Sequence, residues 1–173
     1  MRMTDAPMPV LHDDPTLHRL AEQLGDLLRA NRHTVCTAES CTGGWISKMI
    51  TDIPGCSDWF ECGVAAYSYE AKQALLGVRQ ETITAHGAVS RETVLEMVSG
   101  AMIASGASLA VAVTGIAGPT GGTTEKPVGE VWIGWKRRGR YPIARVFHFD
   151  GDRESVRRQT VAAALLGLMS MAD

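Results

Sequence analysis

The stretch "SLAVAVTG", residues 108–115, decides the fold. It is nearly all apolar, with no polar alternation. A strand wetted on one side alternates, whereas a strand in the middle of a sheet covered on both faces carries an unbroken apolar run. Such a sheet needs a layer of helices on each side. Just upstream, Ser90 is a plausible N-cap for a helix through about Ser105, with Val94, Met97, Val98, Ala101 and Met102 on its buried face. Downstream, a glycine-rich loop leads into "EVWIGW" and "YPIARVFHF", two strands joined by "KRRGR", which reads as a solvated hairpin tip.

Further out, "HTVCTA" (33–38) and "ECGVAAYS" (61–68) read as strands. Leucines and alanines at helical spacing predict an amphipathic helix over 16–31, after a loose leader over 1–15. "TGGWISKMITDI" predicts a helix from Thr42 that ends before Pro54, and "YEAKQALLG" a short helix closed by Gly77. "DRESVRRQTVAAALLGLMSM" predicts the closing helix. Helices between the early strands argue for parallel pairing. The expected architecture is α/β: a three-layer α/β/α sandwich on a mixed, mostly parallel sheet with an antiparallel C-terminal hairpin, forming one domain over 16–173.

The chain has 173 residues, 45% hydrophobic and 21% charged, with a net charge of −2. That composition supports a real core and disfavours a polyanion binder. Basic runs lack the interleaved aromatics of a nucleic-acid surface. No apolar run reaches the roughly 18 residues of a membrane span, and the N-terminus lacks signal-peptide organisation. Cys36, Cys41, Cys56 and Cys62 form no CxxC pair, and no histidine pair has zinc spacing. Reduced thiols, a cytoplasmic location and no bound metal or cofactor are expected. His148, in a strand-like run, reads as structural.

In α/β sheets, ligands collect beyond the carboxyl ends of the strands. Three segments leave strands there: "AESCTGG" (38–44), "YSYEAK" (67–72) and "TGIAGPTGG" (114–122). Ser40 suits either a helix cap or a nucleophile beside helix N–H groups. Glu39 and Thr42 are also capping types. A nucleophilic serine needs a base, and no histidine falls among these loops. Lys72 is the candidate, since a lysine near buried apolar residues loses its proton more easily. Its other reading is an ordinary surface lysine. Tyr67 either orients Lys72 or packs. Cys41 competes as nucleophile, because a thiol at a helix N-terminus can have a lowered pKa. The glycine-rich loop offers amides to a phosphate or carboxylate but lacks GK[ST] and is not a P-loop. Lys126 and Arg153 either add charge to the same anion or are solvated surface.

Together, "TAESCTGG", "YSYEAK", "GAVS", "TGIAGPTGG", "KPVG" and "GDRESVRRQT" resemble the CinA C-terminal domain family, from about residue 16 to the end. Its enzymatic members are the PncC-type nicotinamide-nucleotide amidases, and the chain looks like the stand-alone bacterial form. The resemblance implies hydrolysis of the carboxamide of nicotinamide mononucleotide to nicotinate mononucleotide and ammonia, in pyridine nucleotide salvage, without metal. It puts the catalytic roles on Ser40, Lys72 and Tyr67. Substrate binding falls to Glu39, Thr42, Gly43, Gly44, Thr114, Gly115, Ile116, Ala117, Gly118, Gly121, Gly122 and Arg153. A homodimer or larger homo-oligomer is implied as well. The competing class is a non-catalytic nucleotide-binding module tied to competence or DNA damage.

Overall fold

The computed structural model describes residues 13–173. Helix α1 (Asp14–Asn31) begins where the Asp13 carboxylate accepts the Thr16 N–H at 2.9 Å, with Pro15 in its first turn. It therefore starts before the expected residue 16, and the remainder of the expected leader, 1–12, lies outside the described residues. The order continues β1 (Val35–Glu39), α2 (Trp45–Thr51), β2 (Phe60–Ala65), α3 (Tyr69–Leu76), α4 (Gln80–His86) and α5 (Arg91–Ser105). Then come β3 (Leu109–Gly115), β4 (Glu130–Arg137), β5 (Ile143–His148) and α6 (Arg153–Ala172).

The sheet order is β2-β1-β3-β4-β5. β1 lies parallel to both β2 and β3, while β4 is antiparallel to β3 and to β5. Four of the five strands thus point the same way, and "SLAVAVTG" is the central strand.

Strand alternation sorts β3 between two cores. Leu109, Val111 and Val113 join α1, α2 and α6 through Leu17, Leu24, Met49, Val161 and Leu165. Ala110 and Ala112, with Cys36 and Ala38 of β1, face Val94, Met97 and Val98 of α5 and Leu76 of α3. Small strand residues on that face let α5 approach closely: a Cβ at Gly134 of β4 would lie 3.1 Å from the Val94 carbonyl. On the other face the Trp135 ring fills the space above Gly167, and its indole N–H donates to the Ala164 carbonyl at 3.1 Å. Burying each large aliphatic side chain contributes about 2 kcal/mol.

Helix α4 was not expected. It has no side-chain cap of its own and is tied to α5 instead. Glu96 accepts the Arg79 N–H, the Arg79 guanidinium and the Thr82 hydroxyl. Ser90 caps α5 as anticipated, accepting the Thr93 N–H at 3.2 Å.

Candidate active site

Three segments leave β1, β2 and β3 at their carboxyl ends and meet on one rim. The first departs from expectation. Helix α2 starts at Trp45, not Thr42, because Gly43 and Gly44 take positive φ of 60° and 98° and form a turn. The capping group is Glu39, not Ser40. Its buried carboxylate accepts the Thr42 hydroxyl at 2.6 Å and the N–H groups of Gly44, Ile46 and Ser47 at 3.1, 3.0 and 2.8 Å. It also accepts the Ser47 hydroxyl at 2.9 Å. Glu39 and Thr42, expected among the substrate-binding side chains, are 1% and 0% exposed and bonded to one another beneath the turn. Their side chains build the turn; Gly43 and Gly44 form its outer edge.

Ser40 is thereby released from capping. Its N–H extends the β1–β3 ladder to the Val113 carbonyl at 3.1 Å, and its carbonyl accepts the Gly43 N–H at 3.0 Å. Its hydroxyl meets Lys72. The α2 N–H groups, expected to hold a developing oxyanion, are consumed by Glu39. The backbone donors left after Ser40 are the Cys41 and Thr42 N–H groups, neither of which bonds another residue among the described residues.

Ser68 caps α3 by accepting the Ala71 N–H at 3.0 Å, which turns Lys72 inward. Lys72 is 1% exposed. Its Nζ lies 2.9 Å from Ser40 Oγ and donates to the carbonyls of Ala66 at 2.9 Å and Tyr67 at 3.0 Å. Burial lowers its pKa from the ordinary lysine value, against a smaller opposing pull from Cys41. The partner set also orients the neutral amine. Two carbonyls only accept, so they hold the two N–H bonds and leave the lone pair for the one partner able to donate, the Ser40 hydroxyl. That is the arrangement of a serine and its base.

Cys41, beside Ser40, is the opposite case. Burial pushes its thiol up to about 12, the reverse of the lowered value that would make it nucleophilic.

Arg153 joins two other expected site elements. Its Nη1 donates to the Gly118 carbonyl at 2.8 Å and its Nη2 to the Tyr67 hydroxyl at 3.1 Å. Tyr67 is 62% exposed, a rim residue and not a packing one. Thr114 is buried and donates to the Ala88 carbonyl at 2.8 Å, holding the "GAVS" segment against β3. The Ile116 N–H and carbonyl pair with Glu130 and Gly129, so Gly115 and Ile116 continue the strand edge. Beyond them, the N–H groups of Ala117, Gly118, Gly121 and Gly122 have no partner among the described residues. Lys126 spends two donors, each at 2.7 Å, on the His86 and Val89 carbonyls and pins the loop across the rim. Arg157, one turn after Arg153, was not anticipated, although a spacing of four on the same predicted helix was the available signal. It donates to the Cys41 and Thr42 carbonyls.

The sequence pattern of the CinA C-terminal domain matches residues 17–172. The chain belongs to the CinA C-terminal domain family. Within this family it is 53% identical over 152 residues to the nicotinamide-nucleotide amidohydrolase PncC of Escherichia coli K12, covering 88% of this chain and 92% of that one. The PncC of Pseudomonas putida is also 53% identical, with 88% and 94% covered. Among solved CinA structures, the competence/damage inducible protein CihA from Agrobacterium tumefaciens superposes with a TM-score of 0.89 at 41% identity, covering 96% of this chain and all of that one. A CinA superfamily protein from Escherichia coli gives 0.89 at 32% identity, with 99% of each chain covered.

Proposed function

We propose that the chain is a nicotinamide-nucleotide amidase. It hydrolyses the carboxamide of nicotinamide mononucleotide to nicotinate mononucleotide and ammonia, within pyridine nucleotide salvage. The observation that carries this reading is the buried 2.9 Å contact between Ser40 Oγ and Lys72 Nζ, in a chain half-identical to relatives that bear that activity in their names.

The neutral Lys72 amine takes the Ser40 proton as Oγ attacks the carboxamide carbon, forming a C–O bond and a tetrahedral oxyanion. The free Thr42 N–H supports that oxyanion. Collapse breaks the C–N bond, and the Lys72 ammonium returns its proton to the departing ammonia. Water then attacks the ester on Ser40, delivering a proton to Lys72, and nicotinate mononucleotide leaves as the proton goes back to Oγ. Arg153 and the unpaired amides of Ala117, Gly118, Gly121 and Gly122 suit the phosphate. Tyr67 orients the ring or Lys72. The unit that acts is a single domain over 16–173. It works in the cytoplasm as a homodimer or larger homo-oligomer, for which the exposed Ile143 and Val146 of the edge strand β5, with Tyr141 just before it, offer a surface.

Purified chain incubated with nicotinamide mononucleotide should release ammonia, and Ser40→Ala and Lys72→Ala should each abolish the release while the fold survives. Near wild-type turnover in folded Ser40→Ala protein would overturn the mechanism. Thermal stabilisation by the nucleotide without ammonia would favour a non-catalytic nucleotide-binding module instead.

A further inference from the structure

Arg157 faces the turn that follows Ser40 from α6, behind the reacting groups. Its Nε–H donates to the Cys41 carbonyl at 3.1 Å and its Nη2 to the Thr42 carbonyl at 2.9 Å. The guanidinium also lies over the Trp45 ring, 5.0 Å from its centroid. Two carbonyls and the first residue of α2 are thus gripped by one rigid cation. Position 43 takes a left-handed φ of 60°, which favours glycine, and a Cβ there would only touch Nη2, at 3.7 Å.

In a planar trans peptide the N–H points opposite to the C=O. The Cys41 carbonyl turns toward α6, so the Thr42 N–H turns away from it, toward the layer that carries Lys72. Neighbouring donors are already engaged: the Gly43 N–H with the Ser40 carbonyl, and those of Gly44, Ile46 and Ser47 with Glu39. Of the two N–H groups of this turn left unpaired among the described residues, those of Cys41 and Thr42, only the Thr42 N–H belongs to a peptide whose carbonyl Arg157 holds. A cation on the carbonyl of the same peptide also polarises that amide and strengthens its N–H as a donor.

We infer that Arg157 is a positioning residue for the amidase step: it clamps the Cys41–Thr42 peptide so that the Thr42 N–H receives the oxyanion. This rests on the amidase reading and adds to it the group that holds the donor in place. An arginine two layers from the base then acts on the rate without touching the substrate.

The test compares Arg157→Met and Arg157→Lys with wild type, after thermal melts establish that each is folded. Loss of one preorganised oxyanion donor costs about a hundredfold to a thousandfold, so loss of its clamp should lower kcat by about tenfold to a hundredfold. KM should stay near wild type, Arg157→Lys should be intermediate, and added guanidinium ion should restore part of the Arg157→Met rate. In parallel, a fluorophosphonate probe phosphonylates Ser40: Oγ bonds phosphorus, fluoride leaves, the proton passes to Lys72, and the charged oxygen needs the same donor. Slower labelling of Arg157→Met, recovered by guanidinium, supports the inference even where wild type releases no ammonia, a result that would count against the amidase reading alone. Wild-type kcat and labelling rates in folded Arg157→Met would overturn the inference, as would a defect confined to KM.

Discussion

At the scale of single residues, the partners of Lys72 set the pH behaviour. The working form is the neutral amine, and burial lowers its pKa below the ordinary lysine value of 10.5. Activity should therefore rise with pH through a midpoint below that value, and Lys72→Arg, which keeps its charge, should be inactive. Stability follows the same sign. The folded state gives up the Lys72 proton more readily than the unfolded chain does. Its contribution is fully present above the unfolded lysine value and is lost as pH falls through the lowered folded one. Folded Lys72→Met should thus gain stability relative to wild type as pH is lowered, measured by denaturant titration at several pH values. Cys41 makes a separate prediction. With its thiol pushed up to about 12 and buried, it holds almost no thiolate at neutral pH. Cys41→Ala should keep kcat within about threefold of wild type, and iodoacetamide should leave native activity intact. Residue types on converging loops offered Ser40 and Lys72 as candidates beside a capping and a surface reading, and the family resemblance was what paired them. Glu39 read as one capping type among several; that it alone caps the turn was not legible, because its long side chain reaches from the end of a strand to three N–H groups.

Elements carry the next level. The β1–α2 turn hangs on one carboxylate that holds three N–H groups and three hydroxyls, those of Thr37, Thr42 and Ser47. Glu39→Ala would leave several buried donors without a partner and should cost about 3 kcal/mol or more in chemical denaturation. Helix α3, which carries Lys72, rests against α5 at Gly100, where a Cβ would come 1.8 Å from the Leu76 carbonyl. Gly100→Ala should push α3 aside, cost about 2 kcal/mol, and lower kcat well beyond what the remaining folded fraction explains. Sequence pattern located α1, α3, α5 and α6 and all five strands, most plainly β1 and β3, which are buried along almost their whole length. It missed α4, whose anchor is Glu96 on another helix. It began α2 too early, because two left-handed glycines extend the turn. Both errors arise where a tertiary contact outweighs the local signal.

For the whole molecule, strand direction governs where chemistry gathers. With β1, β2 and β3 parallel, their carboxyl ends deliver Ser40, Tyr67 with Lys72, and the 114–122 loop to one rim. The β4–β5 hairpin ends the sheet at an edge that exposes Ile143 and Val146, at 41% and 40%. If this edge joins copies of the chain, light scattering should give a multiple of one chain's mass, and lysine at both positions should reduce it to one. A single-chain mass for the wild type would reject that assembly. The site's convergence was readable from the parallel pairing that the intervening helices implied, whereas for Arg157 the spacing from Arg153 was the one signal, and its two main-chain carbonyl partners are announced by no residue type.

The two carbonyls that hold Lys72 belong to the main chain at Ala66 and Tyr67. Side-chain changes at those positions leave the acceptors in place, so the amine's setting is robust to mutation in a way that a carboxylate partner's would not be. Tyr67→Phe therefore keeps both acceptors of the base, and any activity it loses reports on the phenol, through its link to Arg153 or its orienting role.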